Sequence, residues 1–349
     1  MPLLSRFYPL FRPLLFKLDP EVAHDWTVKL LKTAHVLGML PDPPPNPAKA
    51  RTVFGLNFPN CVGLAAGMDK SASAVDAWGA LGFGHVEVGT LTPRPQPGNP
   101  TPRLFRLVNH EAIINRMGFN NPGIEEAVQR LERRTGTGIV GVNIGKNYDT
   151  PLEKAVDDYL FCLRAAYHVA DYIAVNISSP NTRGLRDLQA EEPIRRLLGT
   201  LKAEQQRLAG EHGKTVPLLV KIAPDLTEEQ IEVLAKVFVE LGIEGAIATN
   251  TTISREGVKK SKLWKEHGGL SGKPLLHQST AVLATLSLAL KSEAQGAPVP
   301  PIIGVGGIMG EMDAEGKLQA GASLVQLYSG LVYRGPRLVT EVAGIPSSV

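Results

Sequence analysis

The sequence is poor in the features that mark a secreted, metal-bound or membrane-spanning protein. It holds two cysteines, Cys61 and Cys162, in 349 residues, neither of them in a CxxC pair. Two thiols build no disulfide framework and no four-cysteine metal site, and they fit a reducing cytoplasm. An excess of one charge is also lacking. Lys and Arg number 37 against 34 Asp and Glu, a net +3 that is too weak on this length to point to nucleic acid. No run reaches the ~18 uncharged apolar residues needed to cross a bilayer. Met1 to Leu18 is apolar but broken by Arg6, Pro9, Arg12, Pro13 and Lys17, and no small-residue cleavage site follows. That is not the pattern of a secretory signal.

What is present is a hydrophobic content of 43%, enough for a large core. The length fits one big α/β barrel with an extension, or two ordinary domains. Leu4, Phe7, Phe11, Leu14 and Leu18 recur at three- and four-residue spacing and predict an amphipathic helix, which Pro9 and Pro13 make less continuous. Asp19-Pro20-Glu21 supplies an N-cap acceptor, a first-turn proline and an early acid for a second helix, whose apolar face is marked by Val22, Trp26, Leu30 and Leu37. Such faces suit either packing on a larger body or resting among lipid headgroups, with Arg6, Arg12 and Lys17 as the basic rim. The proline-rich run from Pro41 to Pro47 reads as a stiff linker, dividing a helical extension (1–45) from the main body (46–349).

From Cys61 onward, short β-branched apolar runs alternate with amphipathic stretches. Strands are expected at Cys61 to Ala66, His85 to Gly89, Ile139 to Ile144, Tyr172 to Ile177, Pro217 to Ile222, Gly245 to Thr249, Ile302 to Val305 and Leu324 to Leu327. Eight β/α units in succession predict a closed (β/α)8 barrel with its chemistry at the strand C-termini. Two insertions, Thr92 to Gly118 and Thr252 to Leu276, interrupt the rhythm, and loops of that length are usually functional.

The strand ends are unusually polar. Lys70, Asn143, Asn176, Ser178, Ser179, Asn181, Lys221, Thr249 and Asn250 all fall there, and the barrel would gather them at one mouth. No His–Asp pair or carboxylate cluster stands among them, so neither a serine-hydrolase triad nor a glycosidase pair is available, and no metal site is expected. Amides offer paired donors and acceptors suited to the edge of a planar amide heterocycle, while lysines suit an anionic group. The bland reading of each asparagine is a turn former. Gly304-Val305-Gly306-Gly307 after the seventh strand and Tyr328-Ser329-Gly330 after the eighth stand where barrels hold phosphate, although plain tight turns use the same residues.

Seven segments together resemble the dihydroorotate dehydrogenase family. They are Gly63 to Lys70 (GLAAGMDK), Gly89 to Asn99 (GTLTPRPQPGN), Asn115 to Asn121 (NRMGFNN), Asn176 to Thr182 (NISSPNT), Lys221 to Asp225 (KIAPD), Ala248 to Thr252 (ATNTT) and Gly268 to Gly272 (GGLSG). They run in order along nearly the whole chain, and the helical extension is similar to that of the quinone-dependent class 2 members. The resemblance implies oxidation of dihydroorotate to orotate in pyrimidine biosynthesis, with FMN as cofactor and a membrane quinone as final acceptor. It implies FMN contacts at Ala66, Gly67, Thr90, Asn143, Asn176, Lys221, Thr249, Gly272, Gly307, Tyr328 and Ser329. Substrate would meet Lys70, Asn115, Arg116, Met117, Gly118, Phe119, Asn176, Asn181, Asn250 and Thr251, its carboxylate at Lys70. Ser179 is the implied base, relayed through Thr182 and Phe119, where class 1 members carry cysteine. His24, Arg106 and Tyr328 match quinone-tunnel positions. A monomer held peripherally on the cytoplasmic face of the inner or cell membrane is the expected form. The competing expectations are a class 1-type FMN barrel with a soluble acceptor and a non-catalytic phosphate-binding membrane scaffold.

Overall fold

Thirteen short strands account for the sheet structure of the described residues: β1 (Arg51–Val53), β2 (Leu56–Phe58), β3 (Val62–Asp69), β4 (His85–Leu91), β5 (Leu104–Leu107), β6 (Ala112–Asn115), β7 (Ile139–Ile144), β8 (Tyr172–Asn176), β9 (Leu218–Ile222), β10 (Gly245–Ala248), β11 (Gly269–Gly272), β12 (Ile302–Val305) and β13 (Ala322–Leu327). The computed structural model describes residues 2–40 and 46–348, with side chains from residue 8 onward. Most of the expected proline linker, 41–45, lies outside the described residues, as do the side chains of Leu4, Arg6 and Phe7.

Eight of these strands close a parallel barrel in the order β3-β4-β7-β8-β9-β10-β12-β13. All eight expected strands are present. The ends that differ most are the C-terminus of β3, three residues longer than expected, the C-terminus of β4, two residues longer, and the start of β13, two residues earlier. Each strand is apolar almost throughout because helices cover its outer face and side chains fill its inner face. Large and small residues alternate inside. A Cβ on Gly63 would lie 2.0 Å from the His85 ring, and one on Gly141 would lie 2.0 Å from the Tyr172 ring, so the two glycines make room for the two rings. The β1–β2 hairpin brings buried Phe58 edge-on against His85, at 5.2 Å between ring centroids.

The two insertions pair with each other. β5 and β6 come from the first and β11 from the second, and they form an antiparallel sheet in the order β11-β6-β5, with Gly269 opposite Asn115. Leu107, Ala112, Ile114, Val258 and Leu270 give this sheet its own small core.

Two helices precede the barrel, α1 (Pro2–Leu15) and α2 (Pro20–Val36). Asp19 caps α2 as expected, accepting from the backbone N–H groups of Glu21 and Val22. Pro9 and Pro13 do not interrupt α1. The helix is held from its other side, where the Tyr8 hydroxyl donates to Val332 O at 2.5 Å and Arg12 donates to Tyr333 O at 2.8 Å. These anchors offset the backbone bonds that the prolines remove. In α2 the apolar marks fall on the outward face: Val28, Leu31 and Ala34 pack toward the barrel core, while Val22, Trp26, Leu30 and Leu37 are exposed. Phe11, Leu14 and Leu18 are exposed as well.

Candidate active site

At the C-terminal ends of the barrel strands lies a cleft enclosing about 1010 Å³ of empty space, part of it open to solvent. Its walls include the end of β3 (Ala66, Gly67 and, just beyond, Lys70), Thr90 of β4, Asn176 at the end of β8 and Ser179 beyond it, Lys221 of β9, Thr249 to Thr251 after β10, the turn Gly306–Gly307 after β12, and Tyr328–Ser329 after β13. The β6 end and its following loop close the outer side with Asn115, Met117, Gly118 and Phe119, and Gly272 comes from β11. The gathering that the barrel rule anticipates is therefore present. Asn143, Ser178 and Arg116 depart from it, and Ser178 is fully buried off the wall. Asn143 is fully buried beneath the wall rather than on it. Arg116 turns its guanidinium away, to Glu266 at 2.7 Å and over the Phe105 ring at 4.6 Å, so its side chain braces the small sheet instead.

A directional chain of hydrogen bonds runs from the barrel interior to this mouth. Glu87, fully buried on β4, accepts from Asn143 Nδ2 at 2.8 Å, from Gln326 Nε2 at 2.7 Å and from the Tyr172 hydroxyl at 3.1 Å. Asn143 Oδ1 then accepts from the Thr90 hydroxyl at 2.6 Å, and Thr90 Oγ1 accepts from Asn176 Nδ2 at 2.9 Å. Asn176 Oδ1 accepts from the Ser178 hydroxyl at 3.1 Å, and Asn250 Nδ2 closes the series by donating to Ser178 Oγ at 3.0 Å. Because a carboxylate oxygen only accepts, Glu87 fixes which way each amide in the series faces. Glu87 is also the carboxylate nearest the Lys221 ammonium, at 3.6 Å. Below it, burial pushes the His85 imidazole down to about 3, so the ring stays neutral.

Lys70 meets a mixed field. Burial lowers its ammonium to about 8, partly opposed by Glu21 and Asp25 of α2, while Arg103 lowers it further. Ser179 is buried, and its Oγ accepts from the Asn181 backbone N–H at 3.2 Å, an arrangement that leaves the hydroxyl proton free to point elsewhere. Asn181 Nδ2 in turn donates to Asn115 Oδ1 at 3.2 Å, joining the serine loop to the small sheet. Thr182 is buried three residues on and is not part of the cavity wall, whereas Phe119 is, with its backbone at φ +55°.

Three positions tie the helix pair to this region. His24 of α2 is partly buried beside Lys70; burial and that neighbouring charge lower its imidazole to about 3. Tyr328 lies on the cavity wall, and burial raises its phenol to about 12. Arg106 of β5 donates to the carbonyls of Leu15 and Leu18 and stands 4.7 Å over the Phe16 ring, fastening the turn between α1 and α2. Of the expected basic rim, Lys17 is exposed and Arg12 is turned inward to the Tyr333 carbonyl.

Glu87 and Arg186 escaped the sequence reading. Arg186 donates to Ser178 O at 3.0 Å, to Asp225 at 2.8 Å and to Thr251 O at 2.9 Å, locking the loops after β8, β9 and β10 together. An acid at the centre of an otherwise apolar strand was the available signal for Glu87. Arg186 sits in a polar loop where nothing local distinguishes it.

The sequence profile of the dihydroorotate dehydrogenase family matches residues 49–346. The dihydroorotate dehydrogenase (quinone) of Nitrosospira multiformis is 57% identical over 97% of this chain and 95% of its own length. That of Chromobacterium violaceum is 56% identical, covering 96% of each. Among solved structures, the DHODH of Eimeria tenella in complex with ferulenol superposes with a TM-score of 0.84 at 39% identity, over 93% of this chain and 90% of that one. With the barrel, the polar mouth and the full-length matches in agreement, the chain belongs to the dihydroorotate dehydrogenase family.

Proposed function

We propose that the cavity oxidises dihydroorotate to orotate with FMN as the resident cofactor and a membrane quinone as the final acceptor. Quinone-type relatives that match almost end to end support the reaction. One observation carries it to this chain: Ser179, Lys70, Lys221 and the amides of Asn115, Asn176, Asn181 and Asn250 share a single cavity.

The wall fits a flavin mononucleotide. A Cβ on Gly307 would come within 2.3 Å of Leu276 Cα, and one on Gly272 within 2.3 Å of Glu111 O, so packing behind the wall requires glycine at both of these lining positions. Small residues of this kind let N–H groups reach phosphate oxygens. FMN would be held by Ala66, Gly67, Thr90, Thr249, Gly272, Gly307, Tyr328 and Ser329, with Asn143 orienting Thr90 from beneath, and it supplies the two-electron acceptor for the substrate C6 hydride.

Lys221 then places a positive charge where a reduced isoalloxazine accumulates negative charge. Lys70 pairs with the substrate carboxylate, and the four asparagines hold the edge of the ring. Ser179 accepts the C5 proton, and Thr182 and Phe119 shape the relay that carries it to water. Exclusion of bulk water falls to the β5–β6–β11 sheet.

The helices take the second half-reaction. Residues 1–45 form the membrane-facing module, and their outward Phe11, Leu14, Leu18, Trp26 and Leu30 insert among headgroups while quinone enters toward His24, Arg106 and Tyr328. Among the described residues no helix is long and apolar enough to cross a membrane.

Replacing Ser179 with alanine tests the chemistry. The variant should stay yellow yet lose on the order of a hundredfold or more in anaerobic flavin bleaching by dihydroorotate, the scale of a lost general base. Bleaching at the wild-type rate would remove Ser179 from the mechanism.

A further inference from the structure

Lys317 is fully buried on the helix Glu311–Gln319, behind the turn that follows β12. Its ammonium donates to two neutral hydroxyls, Ser279 Oγ at 2.9 Å and Thr280 Oγ1 at 3.1 Å, and no carboxylate lies within ion-pair distance among the described residues. The nearest acid, Asp313, spends an oxygen on the Met309 backbone N–H at 2.8 Å. A sealed lysine without a counter-charge is costly, and such a residue persists where an anion elsewhere rewards it.

The hydroxyl partners lead toward the cavity. Ser279 Oγ stands within donating distance of two carbonyls, Gly306 O at 3.0 Å and Leu276 O at 3.1 Å, and the shorter contact runs to the cavity wall. The Gly306 carbonyl belongs to the same peptide unit as the Gly307 N–H, and both glycines are part of the cavity wall. A hydrogen bond accepted by a carbonyl polarises its resonance-coupled N–H and makes it the stronger donor. The positive backbone dihedrals, φ +111° at Gly306 and +83° at Gly307, belong to a turn that packs directly on Leu276, at the head of the helix bearing Ser279.

We propose that Lys317 is a positioning residue for the cofactor's phosphate: through Ser279 and the Gly306–Gly307 peptide it strengthens the grip of the glycine turn on the anionic tail. The proposal rests on the reading of the cavity as an FMN site. Burial lowers the ammonium to about 7, with Asp313 pulling the other way, and a phosphate dianion in the turn is the charge that holds it protonated.

The test titrates the full-length protein, freed of flavin by dialysis, with FMN and with riboflavin, which has the same ring and no phosphate. In Lys317→Met the FMN dissociation constant should rise about tenfold, equivalent to about 1.4 kcal/mol, while the riboflavin constant stays unchanged. Ser279→Ala keeps the lysine and breaks the relay; it should show a several-fold loss of FMN alone, and it decides the matter if Lys317→Met does not fold. Equal weakening of both flavins would make Lys317 a packing residue, and unchanged binding of both would remove it from the site; either overturns the proposal. A wild-type protein that does not prefer FMN to riboflavin would overturn the phosphate-cradle reading itself, a different result from either.

Discussion

Replacing Glu87 with glutamine changes one atom and removes one charge, in a place where solvent cannot compensate. Oε1 accepts from Asn143 at 2.8 Å and faces Lys221 at 3.6 Å; Oε2 accepts from Gln326 at 2.7 Å and Tyr172 at 3.1 Å. The glutamine amide keeps one acceptor oxygen and turns an N–H₂ toward groups that also donate. Hydrogen bonds to a charged acceptor contribute roughly 1.5–3 kcal/mol each, and stripping one partner from a buried ion pair costs about 3–5 kcal/mol. Gln326 can rotate to offer its own Oε1, which has no partner, and so recovers one bond. The expected loss therefore sits at the lower end, about 3 kcal/mol. For a chain of this size 1 kcal/mol corresponds to about 1.4 °C, so the melting temperature should fall by about 4 °C. Circular dichroism melts at neutral pH, run with saturating flavin and without, read this directly. A fall of less than about 2 °C in both would mean that Glu87 is not the hub of the interior network.

Two further predictions concern the cavity rim and the helices. With the Lys70 ammonium lowered to about 8, its charge is present below that pH and lost above it, so kcat/KM for dihydroorotate should fall as pH rises through 8. Lys70→Met should lose about ten- to a hundredfold in kcat/KM and flatten that profile; a wild-type profile level to pH 9.5 would exclude the role. Replacing Trp26 and Leu30, which are 56% and 60% exposed, with glutamate should leave the melting temperature within about 2 °C. At about 1.5 kcal/mol per inserted side chain, binding to lipid vesicles should weaken on the order of a hundredfold; unchanged sedimentation with vesicles would show that this face does not meet the bilayer.

The barrel was legible because its signal is local. Each strand is a short apolar run, and a run such as Ile139 to Ile144 announces itself without its neighbours. The mouth followed from topology alone, since strand C-termini must converge. The β5–β6–β11 sheet was not legible: Leu270 pairs with Ile114 across more than 150 residues, and neither segment carries the alternation that would reveal a partner. The α2 stripe was ambiguous for a physical reason. Periodicity shows that an apolar face exists and says nothing of what covers it, so Trp26 and Leu30 suited a larger body or a headgroup layer equally until their exposure was known. Glu87 and Arg186 act on the site through other side chains, and such roles are visible only once distances are known.

The small sheet has a consequence for how the two ends of the molecule communicate. One edge strand, β5, carries Arg106, fastened to the Leu15 and Leu18 carbonyls; Arg103, just ahead of it, is paired with Glu21 at 2.6 Å. The next strand, β6, ends in Asn115, which receives a hydrogen bond from Asn181 beside the serine. The helix pair and an amide on the cavity wall are thus joined through two adjacent paired strands. If these helices rest on lipid as proposed, detergent or vesicle composition should register in the Michaelis constant of a substrate that never touches lipid.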